Sequence, residues 1–259
     1  MADETHRASN KEETGASPVK TGEVANSDIL PEKGVHTLSI GQNGSGKTIF
    51  NTWMLERLDT SPIVIYDTKE DDTFMSLPNK SVVTNFDNVL VAADNDKIDY
   101  IVFRPPVREL ADPELLDRYL YLHYQALNNV PAYIDEIYTF HKGGRSGPGL
   151  SALLTRGRSK GISTLMSTQR PRFLTNFALS EAKLFYVFKL SMRDDRKRIA
   201  DIIPDYENAP SPPQYGFLFY KSGDEKYRIF NPVGMTRQEP QTYTETVQAA
   251  EQVRKSTWI

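Results

Sequence analysis

The chain has no cysteine among its 259 residues. Disulfide bonds, thiol catalysis and thiolate ligands for zinc are therefore excluded. Histidine is also scarce, and the four residues, His6, His36, His123 and His141, are too far apart in sequence to indicate a metal cluster. We expect each of them to be a surface or packing residue.

Long apolar runs are missing as well. No run approaches the roughly 20 residues that span a bilayer, and residues 1–7 lack the basic and then apolar profile of a signal peptide. We therefore expect a soluble, intracellular protein with no transmembrane segment of its own. The length and the 39% hydrophobic content suit one sizeable α/β domain with tails.

The tails differ from the centre in composition. Residues 1–29 contain few large apolar side chains, so they cannot bury enough surface to offset the entropy of ordering, and we predict a disordered arm. Residues 30–235 are expected to form one folded domain. Residues 236–259 are polar again and are predicted to be a tail with a weak helix over 242–254.

A glycine-rich stretch follows the strand-like run 35–40 and fits the phosphate-loop pattern G-x-x-x-x-G-K-[ST]. Its glycines allow successive N–H groups to turn inward around a polyphosphate. Lys47 is predicted to reach the β and γ phosphates, and the Thr48 hydroxyl to bind Mg²⁺ at the start of the next helix. The predicted nucleotide-binding residues are Gly41, Gln42, Asn43, Gly44, Ser45, Gly46, Lys47 and Thr48.

Two adjacent carboxylates end a second short apolar run, 131–136. Because side chains alternate along a strand, the two acids are expected to point in different directions and to have different roles. Asp135 suits a Mg²⁺ ion opposite Thr48, and Glu136 suits the base that orients the attacking water. Two acids in an exposed turn would be the simpler interpretation.

Further apolar runs predict a mostly parallel sheet flanked by helices. The runs at 62–66, 99–103, 162–168 and 183–190 are typical of strands buried on both faces. The first of them ends in the polar residues 67–70, at the end of a strand where open α/β sheets bind ligands. Residues 215–220 and 226–230 predict a β-hairpin at the sheet edge. The structure of 71–98 is left open.

Charge is distributed unevenly. Residues 141–200 contain 13 Lys and Arg against 3 Asp and Glu, whereas the whole chain has a net charge of −3. Such a block can be a solvated surface, but its position after the acid pair favours contact with nucleic acid. The loop 141–149, rich in glycine and basic residues, is either a mobile DNA-contacting loop or a linker.

Four stretches together resemble the FtsK/HerA superfamily of DNA-pumping P-loop ATPases: 41–48, 67–70, 134–136, and Arg158-Ser159-Lys160-Gly161 leading into Ser167-Thr168-Gln169-Arg170-Pro171. The resemblance covers about 34–203. Within the superfamily the chain looks most like the small genome-packaging ATPases of tailless icosahedral viruses with an internal membrane.

The resemblance implies a RecA-like α/β fold, ATP and Mg²⁺ as cofactors, and a homo-oligomeric ring, usually a hexamer, that moves double-stranded DNA. It implies partners at the capsid packaging vertex, and a location in the host cytoplasm or at that vertex. Gln169 would face the γ phosphate. An arginine finger would come from the neighbouring subunit: Arg158 matches its position, with Arg156 beside it, and Arg193 and Arg196 are competing candidates.

Two other functions fit parts of the pattern. Assembly and secretion ATPases with a similar core move single-stranded DNA or protein, but they have the transmembrane helix that we do not expect here. A non-motor nucleotide switch is the other alternative. Its guanine-specific form uses Asn-Lys-x-Asp, and the nearest string, Asn79-Lys80-Ser81-Val82, differs at the last position.

Overall fold

The computed structural model describes residues 29–142 and 144–234. The predicted arm, apart from Ile29, and the predicted tail with its helix lie outside these residues. Ile29 is buried, and its carbonyl accepts a hydrogen bond from the Tyr186 hydroxyl.

Eleven strands are found in the described residues, and most coincide with the short apolar runs of the sequence. Strands that lie in the middle of a parallel sheet are covered on both faces, which is why their side chains are apolar throughout. The strands are β1 (Thr37–Ile40), β2 (Ile63–Tyr66), β3 (Lys80–Val83), β4 (Tyr100–Phe103), β5 (Ala132–Ile134), β6 (His141–Lys142), β7 (Arg145–Ser146), β8 (Thr164–Thr168), β9 (Leu184–Val187), β10 (Phe217–Lys221) and β11 (Arg228–Phe230).

Nine of these strands form one sheet in the order β11-β10-β9-β1-β8-β5-β2-β4-β3. The seven strands from β9 to β3 are parallel, and β10 and β11 form the antiparallel hairpin that the sequence predicts at one edge. The fold is thus of the predicted RecA-like α/β class. β1 lies near the middle of the sheet, with β8 between it and β5, so the loops after these three strands meet at one end.

Six α-helices cover the two faces of the sheet. α1 packs on one face through Phe50, Met54 and Leu55. The apolar residues of the other helices join the core on the opposite face. The helices are α1 (Lys47–Leu55), α2 (Phe86–Ala93), α3 (Pro113–Ala126), α4 (Pro148–Arg156), α5 (Asn176–Glu181) and α6 (Arg193–Ala200).

Helix α4 is held at its start by a side chain from α3. Gly147 precedes the helix and has no side chain to cap it, so the buried Asp117 carboxylate accepts the N–H groups of Gly149 and Leu150 instead, each at 2.8 Å. Burial raises the pKa of Asp117, while these two bonds act in the opposite direction. This contact fixes the direction of α4 and thereby the position of the arginines that follow it.

The structure also fills in what the sequence leaves open. Residues 71–98 contain β3, at the far edge of the sheet, and α2. The loop 141–149 is shorter than expected, because β6 and β7 pair as a small ribbon and α4 already begins at Pro148. No helix in the described ranges is both long enough and apolar enough to cross a bilayer.

Candidate active site

The phosphate loop joins β1 to α1 and is tied to the strands on both sides of β1. The N–H of Gly41 donates to the Thr168 carbonyl at the end of β8 at 3.1 Å, and the N–H of Gln42 donates to the Lys189 carbonyl beyond β9 at 3.2 Å. Gly46 has a φ of +93°, a conformation that residues with a Cβ rarely adopt. The loop is therefore anchored independently of any ligand.

Close packing beneath the loop explains the first glycine. A Cβ at Gly41 would lie 2.6 Å from both the Phe188 Cβ and the Ser45 Oγ, which leaves no room for it. The Ser45 hydroxyl itself is buried and has no hydrogen-bond partner within the described residues. A buried polar atom without a partner is costly, so a ligand that accepts or donates a hydrogen bond fits this position.

Lys47 is buried, with 5% of its surface exposed. Burial lowers the pKa of Lys47, and the nearby Asp135 carboxylate opposes that shift. Its ammonium group forms no ion pair with the parts of the chain that the structure describes. A buried cation without a close partner is a favourable site for an anionic group.

The acid pair lies directly after β5, at the end of the sheet where the phosphate loop lies. Glu136 Oε1 accepts hydrogen bonds from the Thr168 hydroxyl at 2.7 Å and from the Gln169 N–H at 3.1 Å. Asp135 Oδ1 accepts from the Tyr133 hydroxyl at 3.4 Å, and the Asn51 amide of α1 donates to that same hydroxyl at 2.8 Å. Both acids are thus held by neighbouring elements of the core.

The expectation that the two acids point apart is not what the structure shows. Because β5 ends at Ile134 and Glu136 has a left-handed backbone with φ of 64°, the alternation of a strand does not apply to them. Both carboxylates contact Lys69 instead: its ammonium group lies 2.8 Å from Glu136 Oε2 and 3.6 Å from Asp135 Oδ2. Burial lowers the pKa of Lys69, but the two carboxylates outweigh it and raise the pKa overall.

Lys69 is the site residue that the sequence analysis missed. It follows β2, within the polar stretch 67–70 that was expected near a ligand, but nothing in its local sequence assigns it a role. Its backbone is fixed by the buried Asp67, which accepts the Lys69 N–H at 3.3 Å and pairs with Arg104 at 2.8 Å. Burial raises the pKa of Asp67, and its hydrogen bonds counteract this.

Comparison with known proteins finds similarity both in sequence and in fold. No family model matches the chain. The chain is 28% identical over 216 residues to the DNA packaging ATPase P9 of Enterobacteria phage PRD1, which spans 79% of this chain and 89% of that protein. The chain is thus similar in sequence, over most of the length of both proteins, to a viral DNA packaging ATPase.

Solved structures of two proteins share the fold of this chain. The genome packaging NTPase B204 of Sulfolobus turreted icosahedral virus 2, in complex with AMPPCP, has a TM-score of 0.62 and 20% identity over 77% of this chain and 98% of its own. B204 of Sulfolobus turreted icosahedral virus has a TM-score of 0.61 and 23% sequence identity, and the match covers 78% of this chain and 100% of the B204 chain.

The predicted finger arginines lie far from the phosphate loop of their own chain. Arg156 ends α4, and Arg158 follows it before the amino end of β8; both are exposed. A Cβ on Gly34, which precedes β1, would lie 3.1 Å from Arg158 Cγ. Gly34 precedes β1 and Gly41 follows it, and the four residues of β1 alone extend roughly 13 Å at about 3.3 Å per residue. Arg158 is therefore at the end of the sheet opposite to the loop.

The competing arginines are placed differently. Arg193 and Arg196 are exposed at the start of α6, just beyond the segment in which the Ser191 hydroxyl donates to the Gln42 side chain at 2.6 Å. They lie at the phosphate-loop end of the sheet. Within one subunit the structure thus brings together the loop, the acid pair, Lys69 and the Gln169 backbone, but not Arg156 or Arg158.

Proposed function

We propose that this protein is a Mg²⁺-dependent ATPase that moves double-stranded DNA, and that the DNA is a viral genome packaged into a preformed capsid. The observation on which this rests is one constellation. A buried Lys47 in a phosphate loop faces the acid pair Asp135 and Glu136 at the end of a parallel sheet. The PRD1 relative is described as a DNA packaging ATPase, which supports the choice of cargo.

The loop is suited to hold a triphosphate. Its N–H groups and the first turn of α1 provide donors for phosphate oxygens, and Lys47 provides a charge for the β and γ phosphates. Thr48 and Asp135 would hold the Mg²⁺ ion, which would neutralise charge on the phosphates when bound. Two protein ligands match the usual coordination of Mg²⁺, which takes its remaining ligands from phosphate and water.

Hydrolysis would depend on the residues at the ends of β5 and β8. Glu136 orients and polarises the attacking water, because its carboxylate is held at one end by Thr168 and at the other by Lys69. Gln169 would sense the terminal phosphate, and the hydrogen bond from its N–H to Glu136 Oε1 connects the two residues. Loss of the γ phosphate would therefore change the contacts of residues at the ends of both β5 and β8.

Catalysis would be completed by a second subunit in a ring, which we take to be a hexamer. Arg158, with Arg156 beside it, is exposed and too far from its own loop, so it is available to a neighbour's site. Such a finger neutralises charge in the phosphoryl-transfer transition state. In this proposal the ring works at the packaging vertex, with capsid proteins and DNA as partners, and is otherwise in the host cytoplasm.

ATP turnover with duplex DNA, with single-stranded DNA and without nucleic acid tests the proposal. We expect turnover to rise with duplex DNA, and the rise to diminish steeply with salt, because a grip on phosphates releases counterions. Mass determination with a non-hydrolysable nucleotide should show a ring. A rise only with single-stranded DNA would favour an assembly ATPase, and no rise with either would favour a nucleotide switch.

Lys47→Ala tests the catalytic site independently of the nucleic acid that is moved. We expect this variant to lose ATP turnover with and without DNA, whereas Lys97→Ala, which changes an exposed lysine remote from the site, should match the wild type. Turnover by Lys47→Ala near the wild-type rate would show that the phosphate loop is not the catalytic site.

A further inference from the structure

A cavity lies beside the phosphate loop, and the roles proposed for the loop and the acid pair do not account for it. It has a volume of about 660 Å³, which is in the range of small-molecule sites. It is lined by Gly46 of the loop, by Ile49 and Trp53 of α1, and by Tyr215, Pro232 and Val233 from the antiparallel edge of the sheet.

This cavity and the acid pair lie on opposite sides of β1. The acids follow β5 and contact the end of β8, which lies on one side of β1, whereas Tyr215 precedes β10 on the other side. A triphosphate that faces the acids with its terminal group and extends across the loop would reach towards Tyr215. The nucleoside part of such a ligand would then lie at this cavity.

The cavity is lined largely by aromatic and aliphatic side chains. Ile49 is 66% exposed although it is apolar, and it shares one face of α1 with Trp53, four residues later. Tyr215 is 43% exposed, and a Cβ on Gly46 would lie 3.1 Å from its Cβ, so the tyrosine packs directly against the loop. Aromatic and aliphatic side chains that remain in water beside a phosphate site fit a flat aromatic ring.

The backbone of Tyr215 has an unusual conformation. The Gly216 N–H donates to the Pro213 carbonyl at 2.9 Å, which closes a tight turn, and Tyr215 has a φ of 61° within it. Glycine or asparagine is the usual residue at a turn position with positive φ, since a larger side chain is strained there. Strain of this kind is typical of functional positions.

We propose that the Tyr215 ring stacks on the base of the bound nucleoside triphosphate, and that Ile49 and Trp53 form the rest of the base subsite. This inference rests on the proposed function, because it assumes that the loop holds the phosphates. Stacking on an aromatic side chain recognises the ring face of a base and contributes to affinity independently of the phosphates.

Binding of a non-hydrolysable ATP analogue and of inorganic tripolyphosphate, each measured in solution with the full chain, tests the proposal. In Tyr215→Gly the strained backbone is relieved, so this variant should melt no lower than the wild type. We expect its affinity for the ATP analogue to fall at least about 10-fold, in line with the loss of one stacked base. Its affinity for tripolyphosphate should stay unchanged, and Tyr215→Phe should bind both ligands like the wild type.

The opposite results are distinct. If Tyr215→Gly loses affinity for tripolyphosphate and for the ATP analogue equally, Tyr215 acts on the loop and the base subsite is refuted. If it loses neither, the base lies elsewhere. If the wild type binds neither ligand, or Lys47→Ala binds both like the wild type, the proposed nucleotide site itself is wrong.

Fluorescence gives a readout that does not depend on affinity. The chain has two tryptophans, so Trp258→Phe leaves Trp53 alone. We expect saturating ATP analogue to change the emission of Trp53 in this background and tripolyphosphate to leave it unchanged. An identical response to both ligands would contradict a base beside Trp53.

Discussion

The ammonium group of Lys69 lies 2.8 Å from Oε2 of Glu136, although the two residues are 67 positions apart in the chain. The Glu136 side chain is 3% exposed and that of Lys69 is 35% exposed. The pair thus joins the end of β2 to the end of β5 beside the phosphate loop. A carboxylate fixed in this way has a defined position before nucleotide arrives.

A double-mutant cycle on Lys69→Met and Glu136→Gln should measure this coupling. We expect the two changes to be non-additive in the free energy of unfolding by about 1 kcal/mol, since one partner is buried and solvent screens the other. The raised pKa of Lys69 means that this contribution is complete below pH 10.5 and is lost as pH rises through the folded-state pKa. Urea unfolding at pH 7.5 measures it.

The control for this cycle is Lys97→Met combined with Glu136→Gln. Lys97 is exposed and remote from the site, so these two changes should be additive. Additivity of the Lys69 pair to within about 0.3 kcal/mol would show that the ion pair contributes nothing to stability.

Glu136→Gln should separate binding of ATP from its hydrolysis. We expect the rate of the chemical step to fall about 10² to 10⁴-fold, the usual contribution of a general base, while ATP binding stays close to the wild type. The amide oxygen can still accept from the Thr168 hydroxyl, although the bond from the Lys69 ammonium to the second carboxylate oxygen is lost. Single-turnover hydrolysis and equilibrium ATP binding measure the two effects.

An exposed glutamate provides the matched control. Glu225→Gln lies between β10 and β11, so both measurements should be unchanged. Hydrolysis by Glu136→Gln within a few-fold of the wild type would exclude it as the residue that activates water.

Much of the sheet could be predicted from the sequence because its signals are local. The runs at β2, β4 and β9 are apolar at every position since both faces are covered. By contrast, β3 is an edge strand in which only Val83 is buried, so Lys80–Val83 has no apolar pattern that distinguishes it from a loop. For this reason the segment 71–98 could not be assigned.

The site divides in the same way. The phosphate loop is a contiguous motif, so its place between β1 and α1 could be predicted from residues 41–48. Lys69 and Glu136 meet only because β2 and β5 pair side by side, and that pairing is a property of the sheet, not of either stretch. The strained turn at Tyr215 is likewise visible only once the backbone angles are known.

Mixing of two inactive variants should show whether Arg158 acts between subunits. Arg158→Ala leaves the phosphate loop intact, and Lys47→Ala leaves the arginine intact. If the finger comes from the neighbour, mixed rings contain some interfaces with both groups, and ATPase activity should return to at most about a quarter of the wild type. A finger of this kind accelerates hydrolysis by about 10³ to 10⁵-fold, so either variant alone should have almost no ATPase activity.

The same design discriminates among the arginines. Arg156→Ala, Arg193→Ala and Arg196→Ala are each measured alone and mixed with Lys47→Ala. Suppose that the mixture of Arg158→Ala with Lys47→Ala has no more activity than the sum of the two variants measured alone, while the mixture of another arginine variant regains activity. In that case the other arginine is the finger.

A buried histidine should make the fold sensitive to acid. His123 is fully buried in α3, and burial lowers its pKa to about 4. Its Nε2 lies 2.9 Å from the Val130 carbonyl, which can only accept, so Nε2 donates and Nδ1 accepts from the Tyr66 hydroxyl at 3.2 Å. The ring is therefore neutral in the folded protein.

The sign of the effect follows from the two states. Above pH 6.5 the ring is neutral whether the chain is folded or not, so this contribution is complete; between pH 6.5 and 4 only the unfolded chain takes up a proton, and stability falls. The loss for His123 should reach about 3 kcal/mol near pH 4. Urea unfolding from pH 7.5 to 4.5 should show a shallower pH dependence in His123→Gln. Tyr66→Phe removes the hydroxyl but keeps the titrating histidine ring, so it should be less stable than the wild type but show the same pH dependence of stability. An unchanged pH dependence in His123→Gln would show that the His123 ring is not the source of the acid sensitivity.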